Sequence, residues 1–380
     1  MAYDINGINS MQQEILHEIA LSKIEGVGGV VFKHLLNAFG SAEEVLKASS
    51  AKILKVPNVG RSIVEGLKRT DETLREAEEV LKDCEKFGIR IVSFKNTDYP
   101  PRLRNLFDAP AILYFKGKGN LDYSRTLAIV GTREATEYGK KSTEEIVSQL
   151  EQYNVQIVSG LAYGIDVAAH KSALKHGLST VGVLANSLDD VYPKSHQKVA
   201  REMEETGLLI SEQPLYTRTM PQFFVARNRI IAGLADAVIV VESGKKGGSM
   251  VTAEYANNYN REVFAIPGGI FQKHSEGPNF LISNNKAQIF TNVEDFVSWM
   301  KWDEDLNSIS AKNQKTEIDL SHFSLEESAV LSKLIQNGDM LIDEISWQTG
   351  ISLNKLASIL LNLEFQDLVK QSPGKKFGIK

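Results

Sequence analysis

Cysteine is almost missing: Cys84 is the only one in 380 residues. A single thiol excludes a disulfide framework and any zinc site built on cysteine pairs, and it fits a reducing compartment. Long apolar runs are missing too. No stretch approaches the roughly 18 apolar residues of a membrane span, and the polar residues 1–10 lead into no apolar secretory segment. The expectation is a cytoplasmic protein with no membrane contact. Excess positive charge is also absent: 43 Lys and Arg face 48 Asp and Glu, for a net charge of −5. Any nucleic-acid site must therefore be a local pocket of Lys and Arg, because the overall charge supplies no attraction.

Several catalytic signatures are lacking as well. No G-x-G-x-x-G precedes a ribose-binding acid, which disfavours a dinucleotide cofactor, and no G-x-x-x-x-G-K-[ST] is present, which disfavours ATP hydrolysis. There is no G-x-S-x-G elbow. The seven histidines do not fall at ligand spacing, and His170, four residues after Asp166, has no cysteine or second histidine beside it. We expect no metal, no cofactor and no catalytic residue.

What is present is an ordinary globular composition, 42% hydrophobic and 24% charged, in a chain long enough for two or three domains. Residues 1–86 read as helical, with Ile15, Ile19, Val31, Leu35, Leu36, Leu74 and Leu81 at helical spacing. Ile24-Glu25-Gly26-Val27-Gly28 and Val56-Pro57-Asn58-Val59-Gly60 repeat one another, each ahead of a helix-like run. This predicts a tandem helix-hairpin-helix, SAM-like arrangement. Glycines in such hairpins offer N–H groups to phosphates. Acids outnumber bases here, so a packing domain is the preferred reading.

Residues 87–302 alternate strand-like runs (126–130, 155–158, 180–184, 208–211, 237–241, 262–266) with helix-like stretches (137–153, 164–176, 195–206, 227–235, 252–259). Alternation of this kind predicts a Rossmann-like α/β core with a doubly wound parallel sheet. Residues 89–94 and 112–115 add two strands ahead of it. A polar linker at 303–316 leads to residues 317–380, which read as three helices and a wing around Ser372-Pro373-Gly374: a winged helix. Its second and third helices form a helix-turn-helix around Gly350. The third offers Lys355 as its only cation, so a protein-interaction or packing role is preferred over base reading.

Ligands of doubly wound sheets bind beyond the carboxyl ends of the strands, where unusual loops fall. Gly131-Thr132-Arg133 combines a tight turn, a hydroxyl and a bidentate phosphate clamp. Ser159, Gly160 and Gly164 fit an anion cradle at a helix start, with Asp166 in that helix's first turn. Tyr192-Pro193-Lys194, then Phe224 to Arg227-Asn228-Arg229, then Lys245-Lys246-Gly247-Gly248-Ser249 extend the set. Each loop alone reads as a structural turn, and Arg227 or Arg229 alone as a buried arginine paired with Glu242 or Asp236. Several on one sheet edge read as a polyanion site. Phe223 or Phe224 is a candidate for stacking a base.

In this order and combination the motifs resemble the bacterial DNA-processing protein A family (DprA, or Smf). The residues carrying the resemblance are Tyr99-Pro100 with Leu103 and Pro110, Ile129-Val130-Gly131-Thr132-Arg133, 158–166 with Ala169-His170, Tyr192-Pro193, Ile210-Ser211-Glu212, 227–234, Gly248-Ser249-Met250, Thr252-Ala253 and Pro267-Gly268. Val225, Ser187, Gly247 and Lys286 depart from the family's usual Pro, Gly, Ser and Gly. The resemblance implies an extended Rossmann core binding single-stranded DNA without strong sequence preference. It also implies a homodimer that protects incoming DNA and helps load the recombinase RecA in natural transformation. Carried over by motif, Gly131, Thr132 and Arg133 hold phosphate, with Arg227, Arg229 and Lys194 as companions. Two rivals remain. One is a phosphoribohydrolase-like enzyme using Glu254, disfavoured because the Pro-Gly-Gly start of that loop is absent before Gly248. The other is an adaptor for which DNA binding is incidental.

Overall fold

The structure is a computed structural model and describes residues 10–303, 320, 323–372 and 376–380. The expected linker after residue 303 and the wing tip at Pro373-Gly374 lie outside the described residues.

In chain order the helices begin with α1 (Ser10–Ser22), α2 (Gly29–Phe39), α3 (Ala42–Lys47), α4 (Ser50–Ile53), α5 (Arg61–Leu67) and α6 (Thr70–Lys86). Strand β1 (Ile89–Ser93), the short α7 (Pro101–Arg104) and β2 (Ile112–Lys116) follow. The alternating stretch comprises β3 (Thr126–Val130), α8 (Glu137–Gln149), β4 (Gln156–Ser159), α9 (Ile165–Lys175), β5 (Thr180–Val183), α10 (Gln197–Thr206), β6 (Leu208–Ser211), α11 (Pro221–Leu234), β7 (Ala237–Val240), α12 (Gly248–Asn258) and β8 (Glu262–Ala265). Then come α13 (Glu276–Ser283), β9 (Gln288–Ile289) and α14 (Val293–Trp299). The last part holds α15 (Leu325–Asn337), β10 (Met340–Leu341), α16 (Ile342–Thr349), α17 (Leu353–Phe365), β11 (Val369–Ser372) and β12 (Lys376–Ile379). The class is mixed α/β with a large, mostly parallel sheet and a C-terminal winged helix.

The chain divides into two compact parts. The first takes Met1–Leu121 with Thr180–Ile230. Its strands run β1-β2-β6-β5. β1 pairs antiparallel with β2 (Ile91 opposite Tyr114), β2 antiparallel with β6 (Tyr114 opposite Ser211), and β6 parallel with β5. The two extra strands thus bring antiparallel pairing to an otherwise parallel pattern. The sequence repeat is also a structural repeat. Gly26 and Asn58 share a positive φ (+88° and +63°), and Gly28 and Gly60 share extended N-cap backbone ahead of α2 and α5. Asparagine tolerates the left-handed region better than other residues with a β-carbon, so Asn58 preserves the second hairpin.

Glu18 lies on the inner side of α1, 1% exposed. Burial pushes its carboxyl up to about 7 from the usual 4.5, against the lowering effect of a hydrogen bond with Ser93. A carboxyl with a raised folded-state pKa favours folding less as the unfolded chain ionises. Stability is therefore lost as pH rises from about 4.5 to about 7 and is level above. A shift of this size is worth on the order of 3 kcal/mol. We expect Glu18→Gln to flatten this part of the pH dependence in urea titrations and to stabilise the chain at pH 8. An unchanged profile would show that Glu18 does not carry it. Cys84 is buried on α6, and burial, reinforced by Asp83 and Asp189, pushes its thiol up to about 12.

The second part takes Asp122–Ser179 with Ile231–Lys380. Its strands run β4-β3-β7-β8-β9, all parallel. β3, β4 and β7 are buried throughout, as expected of apolar runs covered on both faces. The core beneath gathers Leu127, Ile129, Ile157, Ile239 and Phe264, closed by Phe296, whose ring lies 4.9 Å from Phe264 and 5.2 Å from Trp302. α14, which carries Phe296, was not expected from the sequence, nor were α13 and β9 ahead of it. The winged helix has its own core of Val330, Leu331, Leu334, Leu356, Leu360 and Leu363. Ser324 and Glu327 form a capping box at α15. Lys376 of β12 reaches the buried Asp236 ahead of β7 (3.1 Å), whose other oxygen accepts from the Thr126 N–H (2.9 Å).

Candidate nucleic-acid interface

In the second part, the carboxyl ends of β3 and β7 and the starts of α8, α9 and α12 share one set of contacts. Leaving β3, Gly131 has no room for a side chain: a Cβ there sits 2.4 Å from Ile165 Cγ1. The Thr132 N–H donates to the Glu242 carbonyl (2.7 Å), and the Ile165 N–H donates to the Thr132 carbonyl (3.2 Å). The loop is thus held between the exit of β7 and the start of α9. Thr132 Oγ1 accepts from the Glu134 N–H (3.2 Å), and Arg133 is exposed. Gly164, the residue before α9, has φ +78°, and a Cβ there meets the Thr132 carbonyl oxygen at 2.1 Å. Two glycines therefore let the Thr132-Arg133 backbone and the helix start pass in contact.

Glu242 organises this edge. It is 5% exposed and accepts from the Thr136 N–H (2.9 Å) and Thr136 Oγ1 (2.5 Å). Thr136 is in turn the N-cap of α8, accepting from the Gly139 N–H. A Cβ on Gly139 meets Glu242 Oε2 at 2.2 Å. The sequence pattern offered Glu242 only as a partner for an arginine. The usable signal was an acid placed directly after an all-apolar strand. Next to it, the Ser243 N–H donates to the His274 carbonyl (2.7 Å), and Ser249 Oγ donates to Ser243 Oγ (2.8 Å) at the first turn of α12. Gly248 is exposed and Ser249 buried. Ser159 is fully buried and its hydroxyl donates to the Ile129 carbonyl (2.6 Å), tying β4 to β3, and Gly160 is buried beside it. Three helix starts meet here, and helix starts present N–H groups and partial positive charge. Glu254, the candidate of the enzymatic reading, is exposed on α12, whereas His170 and Asp166 are buried on α9.

Lys194, Arg227, Asn228 and Arg229 belong to the first part. Lys194 is exposed in a 3-10 turn after the cis peptide Tyr192-Pro193. The helix expected from residue 227 begins six residues earlier, at Pro221, so Arg227-Asn228-Arg229, counted above among the strand-end loops, lie well inside α11. Proline is well placed at a helix start because its missing N–H has no partner there anyway. Arg227 is 5% exposed and its Nη1 donates to the Val183 carbonyl at the end of β5. Arg229 pairs with Glu212 (2.6 Å), both largely covered; the sequence had suggested Glu242 or Asp236 as partners. Asn228 is 8% exposed. Phe224 packs edge-on against the exposed Tyr192, ring centroids 5.6 Å apart. Among the described residues no helix is long and apolar enough to cross a membrane.

Fold and edge together define a class: a mixed α/β protein with a mostly parallel sheet, loops clasped at the strand ends, and a C-terminal winged helix. Residues 72–301 match the family of DNA recombination-mediator protein A, and residues 320–375 match the DprA winged helix domain. The chain belongs to the DNA recombination-mediator protein A family. DNA processing protein DprA of Streptococcus pneumoniae is 40% identical over 219 residues, 57% of this chain and 76% of that one. The X-ray structure of DNA processing protein A from Streptococcus pneumoniae overlays with a TM-score of 0.65 at 32% identity, covering 74% of this chain and 97% of that one. A structure describing the single-stranded DNA binding mode of DNA processing protein A from Helicobacter pylori overlays at 0.52 and 32% identity, covering 57% and 97%.

Proposed function

We propose that this chain binds single-stranded DNA through residues 87–302, protects it, and helps deliver it to the recombinase RecA. In this reading it acts as a homodimer in the cytoplasm, holding a strand without catalysing a reaction on it. The helical 1–86 and winged-helix 317–380 segments serve packing and partner contacts. The observation that carries the reading is the clasp of Gly131 and Gly164, which holds the exposed Arg133 where α8, α9 and α12 begin. Family membership supports it, as does the Helicobacter pylori relative whose structure describes a single-stranded DNA binding mode. Arg133 and Lys194 are the direct phosphate contacts. Arg227 and Arg229, inside α11, have structural partners: Arg227 fixes the end of β5 and Arg229 pairs with Glu212.

A binding titration of the full chain against single strand and duplex across a salt series tests this. We expect single-strand preference, little dependence on base composition, and a log–log salt slope of about −0.7 per neutralised phosphate. Equal binding of duplex, or affinity indifferent to salt, overturns it. RecA filament formation on a coated strand, with and without the chain, tests the delivery step.

A further inference from the structure

Between β8 and α13 the chain makes a β-turn closed by the Gln272 N–H on the Gly269 carbonyl (2.9 Å). Its two central residues are Ile270 and Phe271, 80% and 96% exposed. Central turn positions favour Gly, Pro, Asn, Asp and Ser. A branched aliphatic and an aromatic residue there gain nothing from folding and point to a contact made with something else. The turn is well anchored. The Gly268 N–H donates to Asn279 Oδ1 (3.2 Å), and Asn279 Nδ2 returns a bond to the Gly268 carbonyl (3.0 Å). A Cβ on Gly268 meets Ser275 Oγ at 2.1 Å.

The surroundings identify the occupant by charge. Hydrogen bonds from the Ser243 N–H to the His274 carbonyl (2.7 Å) and from the Gly277 N–H to the Ser243 carbonyl (2.9 Å) join this segment to residues 243–249. Together, segments 243–249 and 267–277 carry the exposed Lys245, Lys246 and Lys273, against the single carboxylate Glu276. Lys245 Nζ already lies 5.0 Å over the Phe280 ring. In a chain of net charge −5, three lysines on two hydrogen-bonded segments, one of which carries a bare aromatic, fit a polyanion that also presents flat apolar faces. Single-stranded nucleic acid has both features, and base–aromatic stacking with backbone-tracking cations is how such strands are held.

We propose that Phe271 is a base-stacking wedge for single-stranded DNA, with Ile270 beside it and Lys245, Lys246 and Lys273 on the flanking phosphates. The proposal rests on the function proposed above and adds a stacking position reached from the α12 side of the clasp.

The test uses the full chain and a fluorescein-labelled oligothymidine strand. Phe271→Ala and Phe271→Leu are each expected to weaken binding on the order of tenfold. Phe271→Tyr, which keeps a π-face, stays close to the wild type. None of the three changes the salt slope, whereas Lys273→Ala lowers it by about 0.7. Light scattering follows oligomeric state in parallel. Wild-type binding with all three Phe271 variants unaltered overturns the wedge alone. Leucine matching phenylalanine while alanine lowers the oligomeric state also overturns it, since the turn is then a contact between copies. A wild-type chain that does not bind the strand overturns the proposed function, and the wedge with it.

Discussion

Gly164→Ala is expected to destabilise the chain by about 3 kcal/mol or more and to weaken strand binding even where the variant stays folded. The backbone there has φ +78° and ψ −123°, a region essentially reserved for glycine, whose occupation by another residue costs roughly 1–3 kcal/mol. A Cβ adds a second cost, because it lands 2.1 Å from the Thr132 carbonyl oxygen and 2.8 Å from the Arg133 backbone. These are backbone atoms, so no rotamer change relieves the clash. Either α9 recedes, breaking the Ile165 N–H bond to Thr132, or the Arg133 loop moves out. Gly177→Ala is the control. Its φ is +68° but nothing lies within 4 Å of its Cβ, so only the conformational penalty of about 1 kcal/mol applies. Thermal denaturation of the two variants should separate them by several degrees, at roughly 2–4 °C per kcal/mol for a domain of this size. Equal losses at the two positions would remove the clasp from the argument.

How much of this was legible in the sequence depended on the range of the interaction. β3 and β6 fall on the expected residues because their apolar runs are buried at every position, and burial of that kind is written in composition. The repeated hairpins of Gly26 and Asn58 were legible because their chemistry is local. The arginines of α11 were not. Val183, which accepts from Arg227, lies 44 residues back, and Glu212, which pairs with Arg229, lies 17 back. No local pattern distinguishes an arginine aimed inward at a strand end from one aimed at solvent. The inward bond of the Ser159 hydroxyl was hidden for the same reason, since its partner Ile129 is 30 residues away. The exposed Phe271 escaped notice because turn signals such as Gly268-Gly269 direct attention to the backbone rather than to what the turn displays.

That difference between inward and outward arginines yields the second large effect. Arg133→Ala is expected to lower single-strand affinity tenfold or more at low salt and to reduce the log–log salt slope by about 0.7, the loss of one phosphate contact. The effect should be uniform across base sequences, since a phosphate contact carries no sequence information. The thermal midpoint should not move, because the side chain is exposed. Arg227→Ala should behave in the opposite way. Removing a side chain that is 5% exposed and donates to the Val183 carbonyl leaves a cavity and a buried acceptor without its donor, costing on the order of 2–4 kcal/mol. Binding then falls only as the folded fraction falls, and the salt slope of the remaining folded protein stays at the wild-type value. Arg229→Ala lies between the two, because its pairing with Glu212 leaves both side chains partly open. If Arg227→Ala lowered the slope and left the midpoint untouched, α11 would present its arginines to the strand directly, and the division between clasping and supporting residues would have to be redrawn.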